Sequence, residues 1–60
     1  MPFVTVEWFE GRTSEQKKKV IEGITDVLTG VGVDKDSIWV LIKDYPRTNW
    51  GFGGKQASDK

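Results

Sequence analysis

The chain contains neither cysteine nor histidine. Thiol nucleophiles, histidine bases and the usual histidine or cysteine metal ligands are therefore excluded. Proton transfer is left to Asp, Glu, Lys, the single tyrosine Tyr45, or the amine at the start of the chain. That amine draws interest because the second residue is Pro2. Methionine aminopeptidases remove Met1 ahead of a small side chain, and proline qualifies. The product is a free secondary amine at the head of a strand. A chain-terminal amine titrates near about 7.7–8.0. Apolar surroundings and a nearby cation both disfavour its ammonium form. A pocket of aromatics with an arginine would thus leave Pro2 neutral near pH 7, as a general base should be. Taken alone, Met-Pro is an ordinary way for a gene to begin.

Other polar clusters read more simply as structure. Lys17-Lys18-Lys19 is a charge run early in a helix, with nothing aromatic interleaved, and is expected to be a solvated face. Gly51-Phe52-Gly53-Gly54 lacks the Lys-Ser or Lys-Thr and the helix start of a phosphate loop. Asp34 and Asp36, two apart, are a turn and cap signal before they are a cation site. Glu7 is expected in a surface or interfacial ion pair, with contact to substrate as its functional alternative if its strand face lines the pocket, and Tyr45 in edge packing, with donation to an oxyanion as its functional alternative.

What must position Pro2 is small. The chain has 60 residues, 9 basic and 9 acidic side chains, and no net charge, so nothing electrostatic points to nucleic acid or a membrane surface. No apolar run approaches the roughly 18 residues of a membrane span and no signal-peptide pattern appears. A cytoplasmic location is the default expectation. The length fits one domain over residues 1–60. Chains of this size bury only about 60% of their unfolded surface and are marginal without a staple. Disulfides are excluded, yet seven aromatics are present, three of them tryptophan. Apolar surface that one small core cannot hide belongs in a subunit interface, so an obligate oligomer is expected.

Phe3–Phe9 is β-branched and aromatic, which predicts a strand with Val4, Val6 and Trp8 on one face and Phe3, Thr5, Glu7 and Phe9 on the other. Glu10-Gly11-Arg12 breaks it. Thr13-Ser14-Glu15-Gln16 has the form of a capping box. Val20, Ile21, Ile24, Val27, Leu28 and Val31 then recur with a helical period as one apolar stripe, closed by Gly30 and Gly32. Ser37–Asp44 predicts a second strand, with Ile38, Val40 and Ile42 opposite Trp39, Leu41 and Lys43. Strand, helix and strand make a βαβ unit with parallel strands, an α/β fold. Two strands do not make a stable sheet alone, so another chain should complete it. Asn49 to Gly54 suits a tight hairpin or a loop laid over a neighbour. Residues 55–60 are expected to fray, or to turn helical only on docking.

Met1-Pro2-Phe3-Val4-Thr5-Val6, Glu10-Gly11-Arg12-Thr13-Ser14-Glu15-Gln16-Lys17 and Asn49-Trp50-Gly51-Phe52-Gly53-Gly54, with the βαβ unit between them, resemble the 4-oxalocrotonate tautomerase family over nearly the whole chain. The resemblance implies a homohexamer built as a trimer of dimers. Each dimer would form a four-stranded sheet with helices on one face, and the terminal hairpin would reach a neighbouring dimer. It implies Pro2, freed of Met1, as the catalytic base. Arg12 would grip a substrate carboxylate from an adjacent subunit, and Trp50, where the family usually has phenylalanine, would wall the pocket together with Phe52. No cofactor and no metal is implied.

One position departs from the family pattern. Where its best-studied enzymes carry a second arginine, this chain has Trp39. Losing that charge argues against a dicarboxylate such as 2-hydroxymuconate. With Trp50, it favours a monocarboxylate with an apolar tail, such as phenylenolpyruvate. Arg47 is a candidate substitute cation, and interface packing is the alternative role for Trp39. The resulting expectation is a cofactor-independent isomerase acting on a small unsaturated 2-hydroxy or 2-oxo acid. Two alternatives stay open: a decarboxylase or hydratase using the same proline amine, and a non-catalytic oligomeric scaffold. Hydratase chemistry lacks the acidic residue expected between Asn49 and Lys55.

Overall fold

In the computed structural model, which describes residues 1–59, β1 (Phe3–Phe9) and β2 (Trp39–Tyr45) form a parallel pair. Each Cα faces its partner from Phe3–Trp39 to Phe9–Tyr45. Because side chains alternate along a strand, this register sorts the sheet into two faces. Val4, Val6, Trp8, Val40 and Ile42 are half-buried on the face that α1 (Ser14–Gly30) covers. Phe3, Trp39 and Leu41 stand on the other, 68%, 60% and 42% exposed, and nothing among the described residues covers them.

The loop between β1 and α1 turns at Gly11, whose φ of +123° suits glycine alone. Thr13 then caps the helix as expected. Its hydroxyl accepts from the Gln16 amide at 3.1 Å, and the Gln16 side chain accepts from the Thr13 amide at 2.9 Å. At the other end the two expected glycines divide. Gly32 is left-handed, with φ +97°, whereas Gly30 is simply the last helical residue and Val31 the cap. A three-way link ties helix to sheet: Trp8 Nε1 donates to Asp44 Oδ1 at 2.6 Å, and the Lys17 ammonium pairs with the other Asp44 oxygen. Lys17 is thus a structural cation; only Lys18 and Lys19 are solvated as expected.

The predicted second strand begins two residues late. Lys35–Ser37 is a 3₁₀ turn capped by Asp34, which accepts from the Asp36 amide, so Ser37 and Ile38 are not strand residues. Capping side chains compete with strand backbone for the same amides. The single apolar stripe of α1 also splits. Val20, Ile24 and Leu28 are half-buried, while Ile21, Val27 and Val31 are 40%, 69% and 76% exposed. A two-stranded sheet is too narrow to cover the whole stripe.

The C-terminal residues are more ordered than expected. β3 (Gly51–Phe52) and β4 (Lys55–Gln56) form an antiparallel hairpin. Its turn, Gly53–Gly54, has φ +62° and +81°, the doubly left-handed geometry that a two-residue hairpin needs. Ala57–Asp59 is a 3₁₀ turn, its first amide bound to the Trp50 carbonyl at 2.9 Å, and Ala57 is the one buried hydrophobic residue among those described. Lys60 lies outside the described residues.

The chain does not enclose a core. Its radius of gyration is 14.7 Å, with extents of 43 × 24 × 13 Å, against about 10 Å for a compact chain of this length. Its accessible surface is 4696 Å², against about 3950 Å² expected for a folded monomer of this mass. No helix among the described residues is long and apolar enough to cross a membrane.

Candidate active site

The sheet places the predicted residues at its two ends. Pro2 is half-buried just ahead of β1, where its carbonyl accepts the Trp39 amide at 3.1 Å. Trp39, the first residue of β2, therefore stands directly beside it. Arg12 lies past the far end of the same strand. Seven strand residues, at roughly 3.3 Å each, put about 20 Å between those ends. Within one chain, Pro2 and Arg12 do not meet.

Phe9 is the hub of the far end. Arg12 Nη1 donates to its carbonyl at 3.0 Å, and the guanidinium lies over the Trp8 ring, 4.5 Å from the centroid. Arg47 lies over the Phe9 ring itself at 4.1 Å. Trp50 meets Phe9 edge-to-face, with centroids 4.9 Å apart, and Tyr45 at 6.0 Å. Such contacts hold ring orientation beyond what buried area provides. The loop that delivers Arg47 and Trp50 is itself fastened. Asn49 and Trp50 amides donate to Pro46 and Arg47 carbonyls, and Gln56 Nε2 donates to Thr48 O at 2.9 Å. Neither arginine forms an ion pair with a carboxylate among the described residues, where Lys17–Asp44 is the only one.

Beside this hub is a shallow pocket of about 370 Å³, lined by Glu7, Tyr45, Asn49, Trp50 and Gly51. Tyr45 Oη donates to Glu7 Oε1 at 2.8 Å. Among the described residues Glu7 makes no ion pair and takes the Tyr45 hydroxyl instead, while Tyr45 packs edge-on against Trp50 as expected. The carboxylate accepting from the phenol, partial desolvation and the negative charge of Glu7 all push the Tyr45 pKa above its ordinary value of 10.0. Phe52 stands on β3, 60% exposed. Sequence reasoning missed Phe9 as the residue joining Arg12, Arg47 and Trp50. Its place as the last strand residue, just before the loop that carries Arg12, was the available signal. No group of three or more acidic residues gathers to hold a metal among the described residues.

The α/β chain thus has a proline opening one end of its first strand, an arginine just past the other and a glycine hairpin behind. The family described as Tautomerase, tautomerase enzyme, matches residues 2–60, and the chain belongs to it. It is 43% identical to 2-hydroxymuconate tautomerase of Comamonas testosteroni over 98% of this chain and 95% of that one. It is 38% identical to a probable tautomerase of Listeria monocytogenes, over 98% of each. Among solved structures, it is similar to a 4-oxalocrotonate tautomerase isozyme from Methylibium petroleiphilum, at 45% identity and a TM-score of 0.85, covering 95% of this chain and 94% of that one.

Proposed function

We propose that the protein interconverts enol and keto forms, or shifts a double bond, in a small unsaturated 2-hydroxy or 2-oxo acid, with the Pro2 amine as base and then as acid. The lone pair of the neutral amine takes the enol proton. The resulting ammonium returns a proton to the conjugated carbon, so the reaction is an isomerisation with no net proton change and no cofactor. Arg12 anchors the carboxylate through the guanidinium donors not used on Phe9 O. Trp50 supplies the apolar wall that keeps the amine neutral.

The observation that carries this reading is the opposition of Pro2 and Arg12 at the two ends of β1. A site containing both needs at least two copies of the chain, and the bare sheet face and extended shape offer the surface for it. The assembly we propose is the homohexamer, a trimer of dimers, each dimer closing a four-stranded sheet in the cytoplasm.

The active species lacks Met1, because Pro2 joined to Met1 is a tertiary amide with neither proton nor basicity. Intact mass should show its loss. Processed protein should ketonise an enol acid, Pro2→Ala should lose at least 100-fold in kcat, within the range general-base catalysis contributes, and Arg12→Ala should act mainly by raising KM. Equal rates in processed wild type and Pro2→Ala would end the proposal.

A further inference from the structure

Arg12 stands on the loop between β1 and α1, yet its guanidinium is held at two points. Nη1 donates to Phe9 O at 3.0 Å, and the group lies over the Trp8 ring, 4.5 Å from the centroid. The ring is fixed in turn. Trp8 Nε1 donates to Asp44 Oδ1 at 2.6 Å, and the Lys17 ammonium donates to Asp44 Oδ2, so both carboxylate oxygens are engaged. Asp44 is also within electrostatic reach of Arg12. The bond from Lys17, that from Trp8 and then the charges of Lys17 and Arg12 lower its pKa against partial desolvation. A carboxylate left unengaged there would compete with an acid substrate for the guanidinium. Lys17–Asp44 is nevertheless the only ion pair among the described residues, and Arg12 has none.

We infer that Trp8, Asp44 and Lys17 are positioning residues for Arg12. Trp8 seats the guanidinium on its ring face, Asp44 sets the ring, and Lys17 occupies Asp44 so that it does not capture the arginine. The inference rests on the reading of Arg12 as the carboxylate anchor given above. A loop arginine free to rotate would lose that freedom on gripping a substrate, and holding it beforehand lowers this cost. Stacking suits the task, because a guanidinium lying on a ring face keeps its in-plane N–H donors for a carboxylate. The three residues act through Arg12, so their loss is read in KM rather than in kcat.

The test uses Met1-free protein with phenylenolpyruvate as probe, measuring kcat and KM separately. Trp8→Leu should raise KM at least fivefold with kcat within twofold of wild type, and Trp8→Phe, which keeps a ring face, should raise it less. Lys17→Met should release Asp44 to pair with Arg12 and also raise KM at least fivefold. Adding Asp44→Asn to Lys17→Met should bring KM back to within twofold of wild type, because the amide still accepts from Trp8 Nε1 but carries no charge. A merely structural role predicts a double variant no better than the single one. That result, an unchanged KM in Lys17→Met, or a loss confined to kcat would overturn the inference. Should Trp8→Leu fail to fold by circular dichroism, the Lys17 and Asp44 variants decide alone. If Arg12→Ala leaves KM unchanged, it is the underlying anchor reading that has failed.

Discussion

Tyr45 is the only phenol in the chain, so its ionisation can be followed by absorbance without ambiguity. Its hydrogen bond to Glu7 stabilises the neutral form, and the folded pKa lies above 10.0. Stability from this pair is therefore fully present below the unfolded pKa near 10 and lost as pH rises through the folded value. Absorbance titration of the folded protein should give a midpoint above 10, and Glu7→Gln should move it back toward the ordinary value. An unchanged midpoint would mean that the pair does not form in solution. The two residues were each identifiable in the sequence as polar groups on a mixed strand face and a strand end. Their pairing was not, because it depends on the register that sets Glu7 beside Lys43 and one rung below Tyr45.

At the scale of elements, one carboxylate joins three of them. Asp44 accepts from Lys17 on α1 and Trp8 on β1, and these bonds, with the charges of Lys17 and Arg12, outweigh partial desolvation and hold its pKa below 3.8. A depressed carboxyl pKa contributes stability above the unfolded value, lost as pH falls through the folded one. The thermal midpoint of wild type should therefore drop below about pH 4. Asp44→Asn should be less stable than wild type at neutral pH, and the gap should narrow in acid. The Thr13 capping box makes a second prediction at this scale. Thr13→Ala should cost about 1 kcal/mol in urea unfolding at fixed protein concentration. The capping box was legible from four consecutive residues because its hydrogen bonds are local. The start of β2 was not, since Ser37 and Ile38 have strand-like composition but are drawn into the turn that Asp34 caps.

For the whole molecule, the exposed flank of the helix matters as much as the bare sheet. Val27 and Val31 are one turn apart on α1 and its cap, 69% and 76% exposed, which is unusual for paired valines unless something covers them. Sedimentation should show wild type as an oligomer with a thermal midpoint that rises with protein concentration. Val27→Glu with Val31→Glu should shift it toward smaller species and abolish activity while Pro2 remains intact. Activity retained by a monomeric double variant would remove the shared site.

The residue order alone determined the strand Phe3–Phe9, the capped helix, the glycine hairpin and the candidates Pro2 and Arg12, because alternation, capping and left-handed glycines are properties of near neighbours in the chain. Composition also determined that one copy has more apolar surface than it can hide. Only the tertiary structure decided which residues meet: that Phe9 gathers Arg12, Arg47 and Trp50, that Glu7 accepts a hydrogen bond from Tyr45, that Trp39 stands beside Pro2, and that Pro2 and Arg12 lie a strand apart. Those meetings follow from the parallel register of two strands separated by the helix, a long-range choice that no local pattern encodes.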